Sequence, residues 1–544
     1  MKIKTTVVLT AVSAALLLAG CATTRSDALG LTKDEGIKTY AEAYQPAREL
    51  LLAGSFDEIR TKLMTNVVDK DGKALTNDEA HEKLLQEASE LSLMERGLLS
   101  LNLGEVDRAL FFFDIAEEKL NFAEDNESFT DTSSSWAKKG LATLTGTSEI
   151  ADYEVRSYEK VMLLNYKALC YMLLGDRRAY NVTRRAIDLQ QQEWEKFQEK
   201  KAKLEENLAK RGMELGPDGM PVVNKELAAQ KALEAQQQAV QQSQQPQKRS
   251  LLSAFGLGGL EQQNQETDQN PMADMDQILT SIDVDDRAEE TKKKAALVAS
   301  AYVNPFGDYM NALLQEFDSL EDTSLRDNAR ISYEKVVDNN KDCKTAKIAQ
   351  KSVMKGIGKD QKIVQVILSD GFSPYQLEKS KSLTVGKYHA TINYANATSV
   401  DTPVAAASIQ VGKKNIQMSS LTRMESIILR EEQDNLPWRA MDFAFALLRS
   451  ALANDKLGAL GGVLVGKLQH PDTRSWLTLP NQVLVSRVVV PASQKTLELS
   501  TLGSDGKTIA STEVEIAEQG PTVVYAVSYG ENLKAYANAF SWVK

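Results

Sequence analysis

The sequence predicts a multidomain α+β protein, with all-α helical repeats in its N-terminal part and a β-sandwich-like domain with a helical insertion in its C-terminal part. Three observations predict this. Apolar residues recur at helical spacing over residues 40–63, 88–120 and 159–190. Each of these runs divides around one glycine, Gly54, Gly104 or Gly175, as helix, tight turn, helix. Beyond about residue 357 the pattern changes to short Val-, Ile- and Thr-rich segments separated by turn residues, which read as strands.

The second helical unit is the clearest. Its residues 101–116 read Leu-Asn-Leu-Gly-x-x-Asp-x-Ala-Leu-x-x-Phe-x-x-Ala, which resembles a tetratricopeptide repeat. Gly97 and Ala109 are the small residues at which its two helices press together, and Phe113 and Ala116 follow on the same face. The third unit places Ala168 and Tyr171 before its turn, and Ala179 and Ala186 after it. The first is degenerate, with Ala47 before Gly54 and Ile59 and Leu63 after it. A fourth pair is predicted over 302–317 and 325–337, with Ala329, Tyr333 and Val336 on one face. Such units cannot bury their apolar faces alone, so neighbours must stack. The helical repeats therefore span 31–190, and a final pair occupies 284–356.

An insertion separates the two. Residues 191–245 are expected as a helical extension into solvent, with Trp194, Phe197, Leu204 and Leu208 at helical spacing, a break at Gly216-Pro217-Asp218-Gly219, and Ala/Gln-rich helix from 226 to 245. Residues 246–283 lack periodicity and are expected to be a disordered linker carrying one apolar island at 251–260. The β-rich domain fills 357–544. Its strands are predicted at 364–368, 383–385, 387–394, 407–411, 482–490, 496–502, 509–516 and 522–527, and a helical insertion interrupts them at 422–452. Ser504-Asp505-Gly506-Lys507 is a hairpin signal, and Pro437 suits the first turn of a helix.

The N-terminus carries the sharpest functional signal. Lys2 and Lys4 precede an apolar run from 7 to 18, which ends in Leu18-Ala19-Gly20-Cys21. A basic start, a short apolar core and small residues before a cut mark a secretory signal peptide over 1–20. The cysteine at the cut resembles the lipobox of bacterial lipoproteins. That resemblance implies diacylation and N-acylation of Cys21, with palmitate-like chains, and several chains hold a membrane where one does not. Residues 21–30 then form a lipidated tether. Ala22 rather than Asp follows the cysteine, which by the same resemblance implies an outer-membrane, periplasm-facing location.

Net charge is −11, with 42% hydrophobic and 26% charged residues, which speaks against nucleic acid as a partner. The longest further apolar stretch, 457–465, is short and glycine-rich. Cys170 and Cys343 lie far apart, and sequence leaves their pairing open. Cys170 sits in an apolar helical run and reads as a buried thiol. The three histidines, His81, His389 and His470, have no second His or Cys at metal-ligand spacing. No nucleophile elbow, P-loop or Rossmann glycine pattern is present. The pairs Glu117/Glu118 and Glu431/Glu432 read as solvated helix faces. No catalytic, cofactor-binding or metal residue is therefore expected, and the chain is not expected to be an enzyme.

Two aromatic spots are candidates for a partner surface, with a loop that packs its aromatic against the core as the favoured alternative for both: Phe306 and Tyr309 in Asn304-Pro305-Phe306-Gly307-Asp308-Tyr309, and Trp476 before a strand. These segments, with 329–336 (Ala-Arg-x-Ser-Tyr-Glu-Lys-Val) and 472–482 (Asp-x-Arg-Ser-Trp-Leu-x-Leu-Pro-x-Gln), resemble an uncharacterised proteobacterial lipoprotein family with tetratricopeptide-like repeats. The resemblance covers most of the mature chain except the insertion. Its genes tend to lie beside those for small lipoproteins similar to activators of penicillin-binding proteins, which implies envelope work. The expectation is a membrane-anchored scaffold or adaptor whose helical groove holds an envelope protein. The alternative is an accessory factor for peptidoglycan or surface-glycan assembly.

Overall fold

The computed structural model describes residues 37–63, 67, 69, 71, 73–127, 153–227, 229–230, 271–386, 388–457 and 471–542. The signal peptide, Cys21, the tether, residues 246–270 with the apolar island, and His470 lie outside the described residues. The chain is mixed α and β, with helices mostly in the N-terminal part and sheets in the C-terminal part.

Helix α1 (Ile37–Leu52) turns at Gly54 into the short α2 (Phe56–Glu58), which runs on as one π-helical turn, Ile59–Leu63. Helix α3 (Asn77–Glu87) opens with a capping box between Thr76 and Glu79. Two pairs follow: α4 (Glu90–Asn102) with α5 (Val106–Glu127), and α6 (Ser157–Leu173) with α7 (Arg178–Ala209). After α8 (Pro271–Ser281) and α9 (Glu289–Ala295) come α10 (Phe306–Glu321), α11 (Arg326–Asn339) and α12 (Lys344–Ser352). The pairs stack in chain order, α5 against α6 and α7 against α10. Gly97 in α4 lies flat against α5, where a Cβ would stand 2.3 Å from the Phe113 ring. Ala109 is fully buried. Gly54, Gly104 and Gly175 all take positive φ, at 70°, 80° and 68°. Each turn closes alike: the residue after the glycine donates to the carbonyl five positions back, as Glu105 does to Ser100.

The strands form two larger sheets. The first has order β13 (Asn532–Ala539), β12 (Thr522–Tyr529), β3 (Gln361–Asp370), β9 (Gln482–Pro491) and β8 (Ser419–Arg423). The second has order β11 (Thr508–Glu515), β10 (Thr496–Leu502), β6 (Ala406–Val411) and β7 (Lys414–Gln417). Strand β3 is buried on both sides. Val364, Val366 and Leu368 pack with Ile409, Leu497 and Leu499 of the second sheet. Ile363 and Ile367 pack into the helical core with Tyr166, Tyr309 and Trp476. The five-stranded sheet is thus a middle layer, with helices on one face and the four-stranded sheet on the other. Covering both faces explains why β3, β9 and β12 read as nearly continuous apolar runs. The helical and β-rich parts, expected as separate domains, share one core.

The last strand joins them. Asn532 Nδ2 donates to the Leu52 carbonyl at 2.7 Å, Tyr536 Oη to that of Asn102 at 3.1 Å, and Asn538 Nδ2 to that of Leu173 at 3.0 Å. These are the C-terminal ends of α1, α4 and α6, whose last carbonyls have no intrahelical donor. Beyond β13, Trp542 Nε1 donates to Asp318 of α10 at 2.6 Å. Residues 532, 536, 538 and 542 share one face of an extended chain.

The insertion differs from expectation. Helix α7 continues to Ala209, but its extension is not solvated all round: Phe197, Leu204 and Leu208 are buried. Residues 271–281, expected within a disordered linker, form α8, and Met275, Ile278, Leu279, Ile282 and Val284 are buried. They join a second apolar core with the hairpin β1 (Met213–Leu215) and β2 (Pro221–Val223), the hairpin β4 (Tyr375–Val385) and β5 (Tyr388–Thr398), and α14 (Leu436–Leu457). Helix α13 (Met424–Asp434) precedes α14 and packs against α9. Three excursions far apart in sequence therefore build one lobe. Each carries an apolar stripe that it cannot bury alone, and their meeting buries it.

Candidate functional site

The aromatic residues expected at a partner surface are internal. Phe306, Tyr309 and Trp476 are 0%, 0% and 1% exposed. Phe306 and Trp476 both pack edge-on against Tyr166, at 6.0 and 6.3 Å between ring centroids. Tyr309 Oη donates to Gln365 Oε1 of β3 at 2.8 Å. Large flat side chains beside Pro and Gly gave these segments the look of exposed motifs, but the shared core takes them in.

What holds Trp476 occupies the inner face of the helical layer. Glu95 of α4 and Glu159 of α6 reach the loop 474–480. Glu159 Oε1 accepts the Trp476 N–H at 2.8 Å, and Glu95 accepts those of Leu477 at 2.5 Å and Thr478 at 3.1 Å. Glu95 also accepts from Tyr40 Oη at 2.8 Å and from the Thr478 hydroxyl. Burial pushes the Glu95 carboxyl up to about 7, against these donors, which favour its charged form. Further along, Glu316 of α10 holds Arg487 of β9 through two parallel bonds, Nη2 to Oε1 at 2.6 Å and Nε to Oε2 at 3.0 Å. Burial opposes the Arg487 charge, and Glu316 more than offsets it. The first helices of three successive pairs thus aim carboxylates inward, and the chain's own loop and sheet fill the groove expected for a partner. Sequence reading missed Glu95 and Glu159. The available signal was a carboxylate on the apolar stripe of α4, four residues after Leu91.

An open concavity lies at the rim of this groove. Tyr40 and Gln45 of α1, Tyr375, Gln376, Leu377 and Glu378 of β4, and Thr473 and Leu477 line a cleft of about 120 Å³. Leu377 is 41% exposed at its edge. Gln45 Oε1 is buried there without a hydrogen-bond donor. Behind Tyr375, the Arg48 guanidinium sits 5.0 Å from that ring and 4.5 Å from Phe372. Burial lowers the Arg48 pKa, against the attraction of Glu95.

Other groups singled out in the sequence are structural. Glu117 is buried and paired with Lys167 and Arg185, and Glu432 is buried and accepts the Ala397 N–H at 2.6 Å. Neither is the solvated face expected, because cations and backbone from neighbouring elements cover them. Glu118 does face outward, beside His81 at 2.9 Å. His389 bonds Thr384 across the β4–β5 hairpin at 3.0 Å. Cys170 and Cys343 are free and buried. Among the described residues no group of three or more His, Cys, Asp or Glu is placed to hold a metal ion, and no helix is long and apolar enough to cross a membrane. Comparisons with protein-family models, curated proteins and solved structures find no match for the chain.

Proposed function

We propose that this chain is a lipid-anchored scaffold of the bacterial envelope, tethered through Cys21 to the outer membrane and facing the periplasm, which binds another envelope protein rather than transforming a substrate. In this reading the helical pairs are tetratricopeptide-like repeats and the two facing sheets a β-sandwich-like unit, together forming a frame. One observation carries the binding role: the chemistry of the cleft. Two tyrosines, two glutamines, two leucines, a threonine and one carboxylate line it. A lone carboxylate has no acid, base or nucleophile opposite it, whereas apolar walls with amide groups suit polypeptide recognition. Supporting this, the groove of the repeats already holds the chain's own loop, so recognition falls to the rim and the lobe. The experiment is photo-crosslinking in cells from exposed positions around the molecule, including Leu377, Val223 and Ile348. The scaffold reading expects a discrete envelope protein crosslinked from one face. Crosslinks to no protein from any position would refute it.

A further inference from the structure

Four consecutive residues of β4, Tyr375 to Glu378, line the cleft. Side chains of a strand alternate between faces, so a run of neighbours along one wall means that the cleft follows the backbone edge. Among the described residues β4 pairs only with β5, from Tyr375 opposite Thr398 to Val385 opposite Tyr388. The outer edge of β5 is covered. Ala397 donates its N–H to Glu432 of α13, and the Ala395 carbonyl accepts from Arg439 of α14 at 3.3 Å. Ala397 and Ala395 therefore turn their backbone groups away from β4. In an antiparallel ladder their opposite residues, Gln376 and Glu378, turn theirs the other way, toward the cleft.

We propose that an extended segment of a partner polypeptide adds to the β4 edge as a further strand, pairing with the backbone of Gln376 and seating one branched aliphatic side chain in the cleft. This rests on the scaffold reading and names its site. The Gln376 N–H and carbonyl have no partner among the described residues, and an added strand supplies one for each. Gln45 Oε1, buried without a donor, takes an N–H from the same segment. The cleft, at about 120 Å³, is a little smaller than the roughly 150 Å³ that takes a benzene-sized group, which fits a leucine or valine better than an aromatic ring. Tyr40, Tyr375 and Leu477 give that side chain apolar walls. Farther along, Lys379 and Lys381 lie beside Asp286 and Asp283 of this chain, so the approach is confined to the first residues of the strand.

The test uses the full mature chain with p-benzoyl-phenylalanine in place of Leu377, crosslinked in cells, and the joined segment located by mass spectrometry. A synthetic peptide of that segment is then titrated against the purified chain. Strand addition expects N-methylation of alternate amides, those facing β4, to weaken binding at least tenfold, and N-methylation of the intervening amides to leave it unchanged. Gln376→Pro removes the N–H that faces the cleft without removing a β4–β5 ladder bond, and should abolish binding; because Gln376 is itself buried, Gln376→Ala, which loses the same side chain but keeps the N–H, serves beside it and should still bind. Binding indifferent to which amides are methylated overturns the proposal. So does a crosslink from position 377 to residues 22–36 of the same chain or to a second copy. Partners captured only from Val223 or Ile348 sink this site and spare the scaffold reading, whereas none from any position sinks both.

Discussion

Gly104→Ala tests how the final strand docks on the helices. Gly104 holds φ at +80°, where an L-residue costs about 1–2 kcal/mol relative to glycine. The new Cβ would also stand 2.6 Å from Cε1 and 2.8 Å from Cδ1 of Tyr536. A ring cannot yield at that distance without swinging away. The swing pulls its hydroxyl from the Asn102 carbonyl, a bond of about 1 kcal/mol net. The substitution should therefore cost roughly 2–3 kcal/mol by both effects. In a Tyr536→Ala background the ring and its bond are already gone, and only the backbone strain of about 1–2 kcal/mol remains. The cycle should show coupling of about 1 kcal/mol or more. Equilibrium urea unfolding of the four mature chains, followed by helical circular dichroism and tryptophan fluorescence, measures it. Equal costs of Gly104→Ala in both backgrounds, within about 0.4 kcal/mol, would show that β13 does not press on this turn.

Three further outcomes are expected. Ala109→Trp should destabilise by about 1–3 kcal/mol or more through overpacking, whereas Asp107→Trp, on the exposed side of the same helix, should leave the melting temperature nearly unchanged. Glu95 binds its proton more tightly in the folded chain, so its contribution makes stability fall as pH rises from about 4.5 to about 7. At about 1.4 kcal/mol per tenfold change in proton affinity, Glu95→Gln should gain roughly 3 kcal/mol relative to wild type across that window, and a constant gap in urea titrations at pH 4.5 and 8 would contradict the burial of a titrating carboxyl. Cys21→Ser should yield a chain released by carbonate wash, because only the thiol takes the diacylglycerol; a variant that stays with the membrane fraction would count against the anchor.

The local devices were legible and the long-range ones were not. Turn glycines, the small residues Gly97 and Ala109 at a helix contact and most strands could be read because each is decided within a few residues: one positive φ, one small side chain, one run of β-branched residues. Strand β13 was missed because Asn532–Ala539 lacks the alternation of a core strand. It is half-buried on both faces, and its inward positions are Asn and Tyr, chosen for helix carbonyls rather than for an apolar layer. The lobe was missed for a related reason. Helix α8, the tip of the β4–β5 hairpin and α14 complete one another only across the fold. Aromatic loops such as 474–480 look alike in sequence whether they face solvent or core. Buried carboxylates decided the matter here, and nothing near Trp476 in sequence announces Glu95, which lies 382 positions before the Leu477 N–H that donates to it.

The closing strand also constrains how the chain can be used. Its side chains bond carbonyls 480, 434 and 365 positions earlier, at the C-terminal ends of the first helices of three pairs. Contacts so distant form late, because the entropy of closing large loops must be met before they contribute. The first helices therefore lack their end partners, and the inner face lacks its loop, until the last residues are in place. A helical fragment taken alone would expose Glu95, Glu159 and the aromatic face that Trp476 covers, and an exposed apolar patch of that kind invites association with other chains. In the intact chain that surface is closed, and on the proposed scaffold reading the cleft at its rim takes the partner. Fragments of the helical part should accordingly capture many polypeptides, and the whole mature chain few. That contrast in a pull-down separates a self-filled frame from a conventional open-groove repeat, which would bind the same partner in both forms.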